Sequence, residues 1–112
     1  HMGGIGARDG GADSPAFAAL IRLLEGGAWA KLCGYRASAG HPYADVAPMA
    51  RAMIAAAPDR CVWGTDWPHP SLFPPTGMPD DGHLLDLLAD WAPEDAQRRA
   101  ILVDNPARLY GF

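Results

Sequence analysis

Two short apolar segments, each closed by a glycine, constrain the fold of this chain more than any other feature. They are residues 28–33, followed by Gly34, and residues 61–64, which end in Gly64. Short apolar runs of this kind are typical of strands in a sheet that is covered on both faces. With the helices predicted around them, the order is helix, strand, helix, strand, helix, helix, which implies parallel strands joined by right-handed crossovers. The predicted fold class is therefore α/β.

Helical spacing of apolar residues supports this order. Ser14 is a candidate N-cap before Pro15, and the apolar residues that follow predict a helix over 15–25. The same spacing predicts further helices over 43–57, 82–91 and 93–103. Asn105-Pro106 is expected to end the last helix, so that the chain closes in a short turn. The remaining segments are predicted to be loops: a Gly-rich loop over 1–13, a loop after Gly34, and a Pro-rich loop over 68–79.

The length of the chain sets a limit on this architecture. With 112 residues the chain is one domain at most, well short of the roughly 250 residues of a closed eight-stranded barrel. Two parallel strands leave both edges of their sheet unpaired. We therefore expect the sheet to be completed by more of the same protein or by another copy of the chain.

Charge and cysteine content exclude several classes of function. The net charge is −4, Lys31 is the only lysine, and no basic cluster is present, which argues against nucleic acid or an anionic membrane as a partner. No apolar run approaches the length of about 18 residues needed to span a membrane, and no signal peptide opens the chain, so a cytoplasmic location is expected. Cys33 and Cys61 lack a CxxC spacing and are expected to be buried free thiols.

The loops after the two strands are the expected location of a functional site, because such loops converge above the rigid sheet. The first presents Tyr35 and Arg36, and the second presents Asp66 and His69. Asp66 is the leading candidate for a general base or a metal ligand, although Asp also favours turns for local hydrogen bonds. Arg36 is suited to binding a carboxylate, with a surface ion pair as the alternative.

The histidines do not form a local metal site. His1, His41, His69 and His83 show neither HxH nor HxxxH spacing. His69, between two prolines, is a candidate for lining the same site as Asp66, with a structural hydrogen bond as an equal alternative. His41 and His83 are expected to face solvent.

The chain resembles the amidohydrolase-related (amidohydrolase 2) family at four motifs, and within that family the 2-pyrone-4,6-dicarboxylate lactonase-like hydrolases. The motifs are VWGTDWPHP (62–70), KLCGYR (31–36), PYADVAPMARAMIAAAPDRCVWG (42–64) and ILVDNPARLYGF (101–112). The similarity runs from about residue 14 to the end of the chain. It implies a distorted (β/α)8 (TIM) barrel, in which residues 1–112 would be a single partial segment, roughly the last three βα units.

The resemblance also implies roles for individual residues. Asp66 would follow the eighth strand and act as the general base, and Arg36, beside Tyr35, would bind a substrate carboxylate. The HMG opening resembles the DHMG segment of the family, which would make His1 the active-site histidine, with a cloning remnant as the alternative. Many members of the family bind zinc or manganese, in which case Asp66 would be a ligand, whereas the lactonase branch works without metal. The family's first-strand HxH pair is absent, and Cys33 stands where relatives usually have Ser.

Together with the resemblance, these observations predict a hydrolase that acts on a lactone or a related ester-like bond of a small acidic substrate. In this enzyme Asp66 would activate water. On this reading the isolated chain is catalytically incomplete, and its partner is the missing N-terminal part of the barrel. The main alternative is an incomplete barrel fragment that self-assembles into a homo-oligomer without enzymatic activity. A third reading is a small-acid binding domain that uses Arg36 and His69.

Overall fold

A parallel pair of strands forms the centre of the fold. The computed structural model describes residues 1–70, 72 and 77–112, so the rest of the predicted Pro-rich loop over 68–79 lies outside the described residues. Strand β1 (Ala30–Leu32) pairs in parallel with strand β2 (Cys61–Trp63). Both strands lie within the segments predicted from the sequence, and the α/β class is confirmed. In the described residues the sheet has these two strands only.

Six α-helices pack around the strand pair in the residues that the structure describes. The first, α1, begins where Ser14 Oγ accepts a hydrogen bond from Phe17 N, and α4 begins where the Asp80 carboxylate accepts from Gly82 N and His83 N. Such side chains satisfy backbone donors that the first turn of a helix leaves free. The helices are α1 (Pro15–Glu25), α2 (Gly34–Ala37), α3 (Ala47–Ala56), α4 (Asp81–Trp91), α5 (Asp95–Arg99) and α6 (Asn105–Tyr110).

The core lies between the strands and helices α1, α3 and α4. Its fully buried side chains include Leu24, Leu32, Met53, Leu88 and Ile101. Helix α3 contacts both α1 and α4, and α2 contacts α4. Gly34 allows the last of these contacts, because a Cβ atom at this position would lie 2.9 Å from Cη2 of Trp91.

The C-terminal region differs from the predicted helix over 93–103. Helix α5 is followed by a π-helical turn (Ala100–Asp104), and α6 begins at Asn105, so Asn105-Pro106 does not end the helical region. Pro106 lies in the first turn of α6, where the absence of an N–H is tolerated. The predicted terminal turn is therefore wrong. Asn105 is buried, and its Nδ2 donates to the carbonyl oxygens of Pro58 and Cys61, at 2.9 and 2.8 Å.

Two other segments, and the exposure of His83, also differ from the sequence prediction. The segment after β1 begins with helix α2 and not with an irregular loop. Residues 1–13 contain three 3-10 turns, and Met2 is fully buried in the core. His83 is half-buried: its ring packs beside that of His41, which is exposed, at a centroid distance of 5.4 Å. In the part of the chain that is described, no helix is both long enough and apolar enough to cross a bilayer.

Candidate active site

The carboxylate of Asp66 is the centre of the candidate site. Asp66 lies three residues beyond the end of β2, with a backbone φ of 70°, and its side chain is 15% exposed. Positive φ is uncommon for residues other than glycine and occurs repeatedly at functional sites. His1 Nε2 lies 2.5 Å from Oδ1 of Asp66, and the Tyr35 hydroxyl donates to Oδ2 over 3.2 Å. Both carboxylate oxygens are therefore held in place, while part of the side chain remains accessible.

Two permanent cations also face this carboxylate. Lys31 Nζ lies 3.5 Å from Oδ1 of Asp66 and 3.2 Å from Nε2 of His1, and Arg36 Nε lies 3.7 Å from Oδ2. Two cations beside one carboxylate leave this part of an acidic chain with excess positive charge. A partly desolvated site of this sign attracts anions.

Lys31 reaches the site through a gap that Gly64 provides. Lys31 is the middle residue of β1, opposite Val62 of β2, and its side chain runs past Gly64. A Cβ atom at position 64 would lie only 3.2 Å from Cδ of Lys31, closer than an ordinary van der Waals contact. The glycine after β2 therefore leaves room for the aliphatic stem of the lysine.

A cavity of about 570 Å³ opens beside the carboxylate. Its wall includes His1, Tyr35 and Arg36 at one side and His41 and Tyr43 at another. The volume falls within the range that small-molecule sites usually have, about 300 to 1,000 Å³. A small anionic ligand in this cavity would meet the guanidinium of Arg36.

His69 lies behind the site and not in the wall of this cavity. It is 2% exposed, and its Nε2 is 3.1 Å from Oδ1 of Asp81 in the first turn of α4. Its ring makes an edge-to-face contact with Tyr35 at a centroid distance of 5.0 Å. The hydrogen bond to Asp81 is the structural alternative considered for His69, and its substrate-binding role stays a prediction.

The fold brings four of the predicted residues together: Asp66, His1, Tyr35 and Arg36. Sequence reasoning missed Lys31, which was considered only as the single lysine of an acidic chain. Its position inside an apolar strand could have indicated it, because a charged side chain there must either pair with an opposite charge or extend to solvent.

Burial keeps a tyrosine hydroxyl and two cysteine thiols near the sheet protonated. It raises the pKa of the Tyr35 hydroxyl, so that Tyr35 remains a hydrogen-bond donor at neutral pH. Burial likewise raises the pKa of the Cys33 thiol, and it raises that of Cys61 to about 11. Both cysteines are free and buried, as predicted, and neither has the thiolate character that a nucleophile needs.

The described residues do not form a metal site by themselves. His1 and Asp66 carry donor atoms that zinc or manganese accepts, but no group of three or more His, Cys, Asp or Glu side chains in the described residues could hold an ion. The ammonium of Lys31 also lies within 3.5 Å of both donor atoms.

The carboxylate of Asp66, the imidazole of His1 and the cations Lys31 and Arg36 thus meet beside one parallel strand pair of an α/β fold. The family model Amidohydro_2, described as amidohydrolase, matches residues 1–112. The chain therefore belongs to this amidohydrolase family, as the resemblance implied.

Curated relatives are similar along most of the chain. A 4-sulfomuconolactone hydrolase of Hydrogenophaga intermedia is 51% identical over 104 residues, covering 90% of this chain and 34% of the relative. A D-galactarolactone isomerase of Agrobacterium fabrum is 44% identical, covering 88% and 35%. A 2-pyrone-4,6-dicarboxylate hydrolase of Comamonas testosteroni is 41% identical, covering 89% and 36%. The chain thus spans about a third of the length of these relatives.

The fold has a counterpart among solved structures. A probable 2-pyrone-4,6-dicarboxylic acid hydrolase from Acinetobacter baumannii, crystallised with citric acid, superposes with a TM-score of 0.77. The match covers 100% of this chain and 42% of the crystallised chain, at 23% sequence identity. The chain therefore shares its fold with a segment of that protein.

Proposed function

We propose that this chain carries the acid–base part of an enzyme that hydrolyses the lactone of a small acidic substrate. The observation that carries the proposal is the accessible carboxylate of Asp66, held between His1 and Tyr35 and flanked by two cations. The relatives support the substrate class, because all three are named for lactones or for a cyclic pyrone ester. The excess positive charge around Asp66 supports an acidic substrate.

We also propose the context in which the site works. The parallel pair β1–β2 would be the last two strands of a distorted (β/α)8 barrel, with His1 following the strand before them. The unpaired edges of the two-stranded sheet support this arrangement, since the neighbouring strands of a barrel would cover both of them. Such a barrel would also supply the rest of the substrate pocket, so we expect the isolated chain to be inactive.

The proposed reaction is a general-base hydrolysis. Asp66 accepts a proton from water, and the resulting hydroxide attacks the carbonyl carbon of the lactone. The carbonyl oxygen becomes an oxyanion, which the nearby donors of His1 and Lys31 would stabilise. As the carbonyl reforms, the ring C–O bond breaks and the leaving oxygen takes the proton back from Asp66. Throughout, Arg36 binds a carboxylate or sulfonate of the substrate through paired N–H donors.

An isomerase is the closest alternative, because one relative is named as one. The two reactions differ in whether water enters the product. We would assay the full enzyme, in which this chain is joined to the rest of the proposed barrel, with 4-sulfomuconolactone, D-galactarolactone and 2-pyrone-4,6-dicarboxylate in water enriched in ¹⁸O. Hydrolysis places one ¹⁸O atom in the new carboxyl group, whereas transfer of the lactone bond within the substrate leaves the product unlabelled.

The role of Asp66 is tested by Asp66→Asn in the same assay. The amide retains the size of the side chain but cannot accept the proton of water, so turnover should fall by about 1,000-fold or more. Circular dichroism and the unfolding midpoint of the variant should match those of the unsubstituted protein. Unchanged turnover in this variant would rule out Asp66 as the base.

A non-enzymatic assembly module is the second candidate, favoured by the same unpaired strand edges. It requires that copies of the chain pair through β1 or β2. Native mass spectrometry over a range of concentrations tests it. A concentration-dependent oligomer without lactone turnover supports the module, whereas a monomer counts against it.

A further inference from the structure

The buried side chain of His69 is separated from the carboxylate of Asp66 by one side chain, that of Tyr35. His69 contacts Tyr35 ring to ring, and Tyr35 in turn donates to Oδ2 of Asp66. On its other side, His69 reaches Asp81 at the start of α4. The four side chains form a continuous path from the helix into the site.

The imidazole of His69 is fixed in this path. Its Nε2 lies 3.1 Å from Oδ1 of Asp81, so Nε2 carries the hydrogen that is donated to this carboxylate. The other ring nitrogen, Nδ1, is buried and has no hydrogen-bond partner among the described residues. Leaving a buried polar atom unpaired destabilises a fold, so an explanation for the histidine is required. Packing alone would be served equally well by an apolar ring.

The orientation of Tyr35 supplies that explanation. The rings of His69 and Tyr35 meet at 87°, an arrangement in which rotation of one ring displaces the other. Tyr35 has the Arg36 guanidinium on another side, with its carbon atom 5.9 Å from the ring centroid. The hydroxyl of Tyr35 therefore reaches Oδ2 of Asp66 only while its ring is held between these neighbours.

We propose that His69, pinned by Asp81, is a positioning residue that holds the Tyr35 ring so that its hydroxyl donates to Asp66. A fixed Tyr35 keeps its hydrogen bond to Oδ2 of Asp66 and so holds the carboxylate in the orientation in which Oδ1 faces His1 and Lys31. The kinetic arm of the test rests on the proposed lactone hydrolysis. The spectroscopic arm does not depend on it.

The spectroscopic arm follows the Tyr35 hydroxyl directly. The chain has three tyrosines, so labelling with ¹³Cζ-tyrosine gives few signals, and Tyr35→Phe identifies the one from Tyr35. We expect this signal to shift in His69→Phe, which keeps a ring but loses the bond to Asp81, and to shift in the same direction in Asp81→Ala. Asp86→Ala, at an exposed position of the same helix, is the matched control and should leave the signal unchanged. A Tyr35 signal that is unaltered in both test variants overturns the proposal.

The kinetic arm distinguishes positioning from a general structural role. His69→Phe should lower kcat by about 10-fold, as expected when a catalytic group is displaced slightly, with KM changed by less than about twofold. In a Tyr35→Phe background the same substitution should have no further effect, because the hydroxyl through which it acts is gone. An equal loss in both backgrounds overturns the proposal. If the full enzyme, with this chain joined to the rest of the proposed barrel, turns over no lactone, the proposed function fails, and the Tyr35 signal alone decides the inference.

Discussion

The guanidinium of Arg36 lies beside the carboxylate of Asp66, with Nε 3.7 Å from Oδ2, and it also lines the adjacent cavity. This distance is longer than a direct hydrogen bond, so the remaining N–H donors of Arg36 stay available to a ligand. One side chain thus faces both the proposed base and the space where a substrate would bind.

Substitution of Arg36 should weaken substrate binding more than it slows the chemical step. Arg36→Gln removes the charge and the paired donors, so KM for a carboxylate or sulfonate lactone should rise by about 10-fold or more. Arg36→Lys should recover only part of this loss, because an ammonium does not offer the same planar pair. Steady-state kinetics with an acidic lactone and its methyl ester provide the measurement. Equal losses for both substrates would contradict a role in binding the acid.

Lys31 should contribute to turnover although no motif marks it. Lys31→Met keeps the length of the stem but removes the cation near Oδ1 of Asp66, so kcat should fall by about 10- to 100-fold. The unfolding midpoint should stay the same or rise, because a half-buried charge is replaced by an apolar group. A Lys31→Met variant with unchanged kcat would show that the ammonium does not contribute to turnover.

Gly64→Ala tests the same lysine without touching its charge. The added Cβ would crowd Cδ of Lys31 and displace the ammonium, so Gly64→Ala should lower kcat in a protein that keeps Lys31. In a Lys31→Ala background the stem is absent, and the alanine should have no further effect on kcat. This background is the control, and a similar loss in both backgrounds would mean that Gly64 acts through the backbone.

Asn105 should be important for stability. Its Nδ2 donates to two carbonyl oxygens next to β2, and Asn105→Ala would leave both without this donor, at a cost of about 2 kcal/mol. Asn105→Asp should cost more, because a carboxylate would then face two carbonyl oxygens. Urea unfolding measures both effects. The neighbouring Asp104→Ala, which removes only a surface pair with Arg99, should change the free energy of unfolding by less than about 0.5 kcal/mol.

The Cys61 thiol should make the protein less stable at alkaline pH. Its pKa is about 11 in the fold, against 9.0 for the ordinary thiol. Between these values the unfolded chain has lost the proton and the folded chain has kept it, so stability falls as pH rises, by up to about 1.4 kcal/mol per pH unit. Urea unfolding at pH 8.5 and at pH 10.5 should show a larger loss for the unsubstituted protein than for Cys61→Ala. Equal losses would mean that Cys61 ionises normally in the fold.

The parts of the fold predicted correctly are those that local signals specify. Ser14 and Pro15 fixed the start of α1, and short apolar runs closed by glycine located both strands, because capping and burial act over a few residues. Asn105-Pro106 was misinterpreted for the same reason. A proline in the first turn of a new helix and a proline that ends an old one have the same local sequence.

His1 was predicted from the family resemblance, and the other residues of the candidate site were predicted only where they follow a strand. Asp66, Tyr35 and Arg36 come directly after the strands, and the fold brings them together as expected. Lys31 was missed because its role depends on which face of β1 it occupies, which three strand residues cannot define. The burial of His69 depends on α4, which lies more than ten residues away along the chain.

The space that Gly64 leaves for the stem of Lys31 also has a consequence for how the sequence can change. A side chain gained at position 64 would press against the stem of a long residue at position 31, and a shorter residue at position 31 would relieve that contact. We therefore expect the two positions to covary among homologues. Where position 64 carries a larger residue, we expect position 31 to carry a shorter one and the positive charge to come from another residue.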